Sequence, residues 1–314
     1  MPDKLLRMHR TGQGKGARDR PVMLAIAGDS ASGKTTVTAG LVKALGAERC
    51  TAVCVDDYHR YDRSERASLP FTALHPDCNH VDIMEQHLQL LATGHPVLKP
   101  VYDHHAGVLT RPQYVEPRQF VIVEGLLPLH TKLAAACFDV AVYLNPPEAI
   151  RRAWKVKRDT AHRGYTQEQV RAELDRREPE SERFIRPQRA RADIVVRFAP
   201  VEQRADPPGT PLSAELLLRP TIRHPDLTTI LVGSGGSMHL KLTRDSDGRP
   251  VDSLHIHGYA PREDTHLLKK AIWSGLGGTK EVPPVLGDLG DAGHSDPLAV
   301  TQLLLLHHLI ESAR

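Results

Sequence analysis

The stretch "PVMLAIAGDSASGKTTVTAGLVKAL", residues 21–45, decides how the rest of the chain is read. It runs from an apolar strand through a glycine-containing turn into a segment where Val37, Leu41 and Leu45 recur at helical spacing. Inside it, "GDSASGKT", residues 28–35, satisfies G-x-x-x-x-G-K-[ST] in the strand–turn–helix context that gives this pattern its meaning. Glycine at 28 and 33 lets backbone N–H groups curl around a phosphate with no Cβ in the way. Lys34 neutralises the outer phosphates, Thr35 offers a hydroxyl to Mg²⁺, and the following helix N-terminus adds its dipole. Gly28, Asp29, Ser30, Ala31, Ser32, Gly33, Lys34, Thr35 and Thr36 are therefore the expected nucleotide-binding segment.

Working outward, short apolar strands alternate with helices. "TAVCV" (51–55), "QFVIVEG" (119–125) and "FDVAVYLN" (138–145) read as strands. "DIMEQHLQLLAT" (82–93) reads as a helix with Asp82 as its N-cap and Gly94 at its end. "PPEAIRRAWKVKRDTAHRG" begins with proline and stops at Gly164, as helices often do, and "TQEQVRAELDRREPE" is a further helix. The alternation predicts an α/β fold with a largely parallel sheet. After "ADIVVRF" the texture changes. "AELLLRP", "TTILV", "MHLKLTR" and "DSLHIHG" are short and strand-like, which predicts an antiparallel extension of the sheet. A helix at "REDTHLLKKAIW", a loop, and a closing helix at "LAVTQLLLLHHLIES" follow. The expected organisation is a flexible basic tail over 1–20 and a single domain over 21–314, divided into a phosphate-loop core (21–200) and a β-rich extension with its closing helix (201–314).

Bulk properties narrow the function classes. With 314 residues, 41 Lys+Arg against 38 Asp+Glu and a net charge of +3, the chain lacks the strong basic excess of a nucleic-acid binder. No apolar run reaches the roughly 18 residues of a membrane span. The polar first twenty residues lack the apolar region of a secretory signal, and Asp3 and Asp19 interrupt any presequence-like charge. Four cysteines without a CxxC pair suggest neither a zinc ribbon nor a disulfide framework, so a reducing cytoplasm is expected. Eighteen histidines are scattered, "DHH" (103–105) and "LHH" (306–308) included.

Two further sites carry chemistry. Glu124, at the end of "FVIVEG", is placed to hold Mg²⁺ from the side opposite Thr35, although an acid there also caps turns. "CVDDYHRYDR", residues 54–63, packs three aspartates, a histidine and two arginines into ten positions. As an isolated string it reads as surface; at the carboxyl end of a strand beside a phosphate loop it sits where α/β sheets bind ligands.

Taken in order, "GDSASGKTT", "CVDDYHRYDR", "KPVYDHHAG", "FVIVEGLLPLH", "WKVKRDTAHRGYT" and "FIRPQRARADIVV" resemble the phosphoribulokinase family over residues 22–198. That family shares its superfamily with uridine kinase. The likeness is closer to the cyanobacterial and plant form, notably in "FTALHPDCNHVDIM" and "KPVYDHHAGVLTRP", and it fades beyond residue 200. The resemblance implies a Calvin-cycle kinase that transfers phosphate from Mg-ATP to ribulose 5-phosphate. Asp56 matches the general base, Lys155 and Arg158 the residues that neutralise transition-state charge. His59, Arg63, His104, Arg163, Arg176 and Arg177 match positions around the sugar phosphate. It also implies a homodimer, with no nucleic-acid or membrane partner.

Read without the family, Lys155, Arg158, Asp159 and His162 are one charged helix face, equally a solvated one with an internal Lys155–Asp159 pair. Two rival functions stand beside a sugar-phosphate kinase. One is a nucleoside kinase, disfavoured because only 4% of residues are aromatic and the site segments supply arginines rather than rings. The other is a catalytically idle nucleotide-binding protein, disfavoured because each matched catalytic position carries the right chemistry. One departure bears on regulation. The cyanobacterial and plant forms carry a cysteine in the phosphate loop that pairs with one before the aspartates; here Cys54 is kept but Ser32 stands in the loop. Cys50 and Cys54 flank one short strand, and four strand steps span about 13 Å, too far for a disulfide.

Overall fold

The computed structural model describes residues 20–201, 204, 210–232, 236–278 and 281–314. Strand β1 (Val22–Gly28) turns through the glycine loop into α1 (Lys34–Leu45), and β2 (Cys50–Cys54) follows. A 3₁₀ turn (Val55–Tyr58) and α2 (Arg63–Arg66) lead to α3 (Val81–Ala92), then to a hairpin of β3 (Val97–Asp103) and β4 (Val108–Val115). Next come β5 (Phe120–Gly125), α4 (Lys132–Ala136), β6 (Val140–Leu144), α5 (Glu148–His162), α6 (Gln167–Glu180) and β7 (Ile194–Ala199). The last third holds β8 (Ser213–Leu218), α7 (Thr228–Leu231), β9 (Met238–Arg244), β10 (Pro250–Ile256), α8 (Arg262–Gly275) and α9 (Asp296–Ser312).

One sheet runs β2-β5-β1-β6-β7-β8-β10-β9, and β3–β4 stand apart as a two-stranded ribbon. β2, β5, β1, β6 and β7 pair in parallel, whereas β8, β10 and β9 continue antiparallel, as the change of texture after residue 199 predicts. Every residue of β1 is buried because helices cover both sheet faces, which explains its unbroken apolar run. Val22, Leu24 and Ile26 pack toward α1, α8 and α9; Met23 packs toward Met84, Leu88 and Leu91 of α3. The chain leaves β1 toward β5 on one side and β6 on the other, so the carboxyl ends of β1, β2 and β5 open onto one crevice. The closing helix is tied directly to the phosphate-loop helix. Gln302 on α9 donates to the carbonyls of Thr36 and Val37 (3.1 and 3.3 Å) and accepts from the Gly287 amide at 2.7 Å.

Two local expectations are corrected. "TTILV" is the short helix α7, not a strand: Asp226 accepts the Thr228 amide at 3.0 Å and starts a turn, and Leu227 and Leu231, four apart, both reach the core. The N-cap of α3 is His80 rather than Asp82, which lies in the first turn and faces Arg60 at 3.7 Å. Of the expected tail, residues 1–19 lie outside the described residues, but Arg20 is anchored by two bonds to the Asp139 carboxylate (2.7 and 3.1 Å). Among the described residues, no helix is long and apolar enough to cross a membrane.

Candidate active site

The phosphate loop is held by backbone geometry. Gly33, at the start of α1, has φ +97°, a left-handed conformation that glycine adopts without strain. Lys34 donates to the carbonyls of Gly28 and Asp29, each at 2.9 Å. Asp29 is buried, accepts the Ser30 amide at 2.7 Å and the Ser181 hydroxyl, and lies 3.5 Å from Arg151. Across the crevice, the Thr35 hydroxyl donates to the Glu124 carboxylate (3.1 and 3.3 Å). Burial raises the Glu124 pKa, and nearby Asp56 adds to the rise against the opposing charge of Lys34. A hydroxyl facing a carboxylate kept in negative company is a hard-oxygen donor set that fits Mg²⁺.

Asp56 leaves the end of β2 in the 3₁₀ turn and accepts the Leu126 amide at 2.7 Å. That approach requires the residue after Glu124 to be glycine. Gly125 has φ +151°, and a Cβ there would lie 2.7 Å from the Asp56 carboxylate and 2.4 Å from Val55. Asp57 turns away, pairing with Lys99 and accepting the Tyr102 amide at 3.3 Å. Asp57 thus fastens the β3–β4 ribbon to the turn after β2. His59 is buried, with Nδ1 2.7 Å from Asn79 Oδ1, and lies edge-on to Tyr102. Burial, and then the charge of Arg66, bring its pKa down to about 4, so it is neutral at ordinary pH. Arg63 donates to the carbonyls of His104 (2.6 Å) and His105 (3.3 Å), which ties α2 to the ribbon's tip.

The charged face of α5 is not a solvated one. Lys155 and Asp159 are buried, and Asp159 gathers three cations: Lys155 at 2.5 Å, Arg158 at 2.8 Å and Arg163 at 3.5 Å. Burial opposes the charge of Asp159, but the hydrogen bonds from Arg158 and Lys155 prevail and hold its pKa at about 2. Burial, then Arg177, lowers the Lys155 pKa to about 8. Arg158 also comes within 3.5 Å of the Ser30 hydroxyl, joining this cationic group to the phosphate loop. Arg176 and Arg177 share Glu173 (2.9 and 2.5 Å), with Arg176 exposed at the rim. The side chain of His162 lies outside the described residues.

These groups line one cleft of about 1100 Å³. Asp56, His59, Arg63, His104, Glu124, Lys155, Arg158, Arg163, Arg176 and Arg177 all face it, as do Ser30 to Thr36; Gly28 and Asp29 stand behind the loop. Among the lining residues to which the sequence reading gave no site role are Arg66, Tyr102 and Asp159. Arg66 donates to the Tyr102 hydroxyl at 2.8 Å and lies over its ring, and its one signal was its place one turn after Arg63. Tyr102 stood inside the quoted "KPVYDHHAG" without a role. Asp159 was weighed only as a partner of Lys155. The extension contributes Leu212, Leu289 and His294 to the far end of the same cleft.

The fold is that of a phosphate-loop α/β protein: a glycine loop at the crevice of a largely parallel sheet, flanked by helices and prolonged by antiparallel strands. The family model described as Phosphoribulokinase / Uridine kinase family matches residues 23–205, and the chain belongs to that family. A phosphoribulokinase of Synechocystis sp. is 36% identical over 205 residues, 65% of this chain and 62% of that protein. The chain thus spans less than two thirds of the length of that relative. A uridine kinase of Oceanobacillus iheyensis is 32% identical over 187 residues, 57% of this chain and 87% of its own. Among solved structures, phosphoribulokinase from Rhodobacter spheroides superposes with a TM-score of 0.61 at 19% identity, over 82% of this chain and 95% of that one. That likeness concerns the fold.

Proposed function

We propose that the chain phosphorylates ribulose 5-phosphate to ribulose 1,5-bisphosphate, with Mg-ATP on the phosphate loop and Asp56 as general base. The observation that carries the reading is the arrangement around Asp159. A buried carboxylate holds Lys155, Arg158 and Arg163 on the cleft wall, in the same cleft as Asp56. An acceptor that already carries a phosphate dianion supplies the charge such a cationic wall is suited to, and guanidinium forks suit bidentate phosphate contacts. A nucleoside brings no such charge.

In this reading Thr35 and Glu124 hold Mg²⁺, which neutralises charge on the outer phosphates when bound. Asp56, held by the Leu126 amide, takes the proton of the attacking hydroxyl. Lys155 and Arg158 face the transferring group, and Arg163 holds the acceptor's own phosphate with help from Arg176 and Arg177. His59 stays neutral and orients the acceptor with His104. Assembly as a homodimer belongs to the same reading and is read out by light scattering.

The test is ADP release with ribulose 5-phosphate, with uridine, and with no acceptor. Turnover with ribulose 5-phosphate supports the proposal. Turnover with uridine makes the chain a nucleoside kinase, and silence with both acceptors leaves an idle nucleotide-binding protein.

A further inference from the structure

The mechanism leaves one thiol at the edge of the cleft unused. Cys54 ends β2, Asp57 sits in the next turn, and His104 follows β3 at the tip of the ribbon. The thiol sulfur, a carboxylate oxygen and an imidazole nitrogen of these three residues all lie within 4.8 Å of one another. Thiolate, imidazole and carboxylate together are the donor set of zinc-type sites and not of Mg²⁺, which takes hard oxygens. In a tetrahedral zinc site, bond lengths near 2.0–2.3 Å set the donors roughly 3–4 Å apart. The three groups are thus within about one ångström of coordination distance.

The electrostatic setting favours a cation. The carboxylates of Asp56, Glu124 and Asp57 lie around the Cys54 thiol. Carboxylates that disfavour a bare thiolate attract the ion that would displace its proton to solvent. Lys99 on Asp57, and Arg66 and Arg163 toward His104, oppose this, but a carboxylate oxygen has lone pairs beyond the one Lys99 uses.

We propose that Cys54, Asp57 and His104 bind one thiophilic divalent cation of the Zn²⁺ class, apart from the Thr35–Glu124 pair, and that its binding inhibits the enzyme. The ion draws His104 and the ribbon tip onto the turn that carries Asp56, where the acceptor must enter.

Direct binding tests the site without any acceptor, so failure of the ribulose 5-phosphate reading leaves the binding half intact, whereas the inhibition half rests on that reading. Co²⁺ titrated into the full chain is expected to give a near-ultraviolet thiolate-to-metal band in the parent and none in Cys54→Ser. His104→Gln, measured by binding alone, is expected to keep the band but shift it and weaken the affinity. Losing the thiolate should cost more than the roughly 10- to 100-fold that loss of an outer partner costs a metal site. With saturating Mg-ATP, Zn²⁺ is expected to inhibit the parent, while Cys54→Ser keeps its basal turnover and resists Zn²⁺. If Cys54→Ser does not fold, Cys54→Ala takes its place in both measurements. Equal Co²⁺ bands in parent and variant, or equal Zn²⁺ sensitivity, would overturn the proposal, since the ion would then lie elsewhere on this histidine-rich chain.

Discussion

The two sides of the cleft are made of different material. On the nucleotide side, a run of consecutive residues folds back on itself: Lys34 binds the carbonyls of Gly28 and Asp29, and Ser30 binds Asp29. On the acceptor side, side chains arrive from β2, α2, the β3–β4 ribbon, α5 and α6. They hold one another across long stretches of sequence, as Arg63 holds His104 and Asp57 holds Lys99. The first side is shaped largely by its own backbone, with Ser181, Arg151 and Gln302 adding ties from distant elements. The second depends on several elements docking together, so a substitution on one element is felt on another.

Asp56→Asn gives the largest expected effect. Removing a general base lowers kcat by ~10²–10⁴-fold, whereas nucleotide affinity, set on the other side of the cleft, stays near that of the parent. Turnover within about threefold of the parent removes Asp56 from the mechanism.

Arg163→Ala and Arg63→Ala sharpen the division between the two sides. Each should raise the KM for the sugar phosphate far more than that for ATP, by a charge-assisted contact worth roughly 1.5–3 kcal/mol. Because Arg63 also fastens the ribbon tip, its loss should lower kcat as well, while Arg163→Ala acts mainly on KM. Equal effects on both substrates would mean that these arginines serve the nucleotide.

Lys155 predicts a pH limb. With a pKa of about 8, it is charged below that value and neutral above it. If its charge is needed, kcat/KM for the acceptor should fall as pH rises through about 8, close to tenfold per pH unit well above it. Lys155→Arg, which stays charged, should remove that limb. A profile flat to pH 9 in the parent would take Lys155 out of transition-state neutralisation.

The smallest expected effect is none. The four cysteines are free, Cys50 and Cys54 lie at opposite ends of β2, and Ser32 in the loop cannot form a disulfide. Mild oxidation in the absence of metal should leave activity unchanged and create no need for a dithiol. A reversible loss that persists in Cys54→Ser would reveal a different cysteine switch, and a loss cured by that variant would reveal an unrecognised partner of Cys54.

The phosphate loop, the parallel sheet and the antiparallel continuation were legible because each rests on local chemistry. Glycines at fixed offsets, β1's apolar run and the spacing of Val37, Leu41 and Leu45 act within one or two elements. The place of Asp56 just after the end of β2, facing the cleft, was legible from its position in the sequence. The sequence could not resolve whether the face bearing Lys155 and Asp159 is solvated or buried, since helical spacing is identical in both cases. Burial against the cleft wall decided it, turning a pair into a group of three cations on one carboxylate. Nor could it assign Asp57, Arg66 or Tyr102, whose partners lie on other elements. α7 shows the converse: a β-branched run reads as a strand until Asp226 and the core beneath Leu227 and Leu231 turn it into a helix. Backbone contacts between near neighbours are written in order along the chain, whereas a side chain's partner across the cleft exists only once the sheet has brought their elements together.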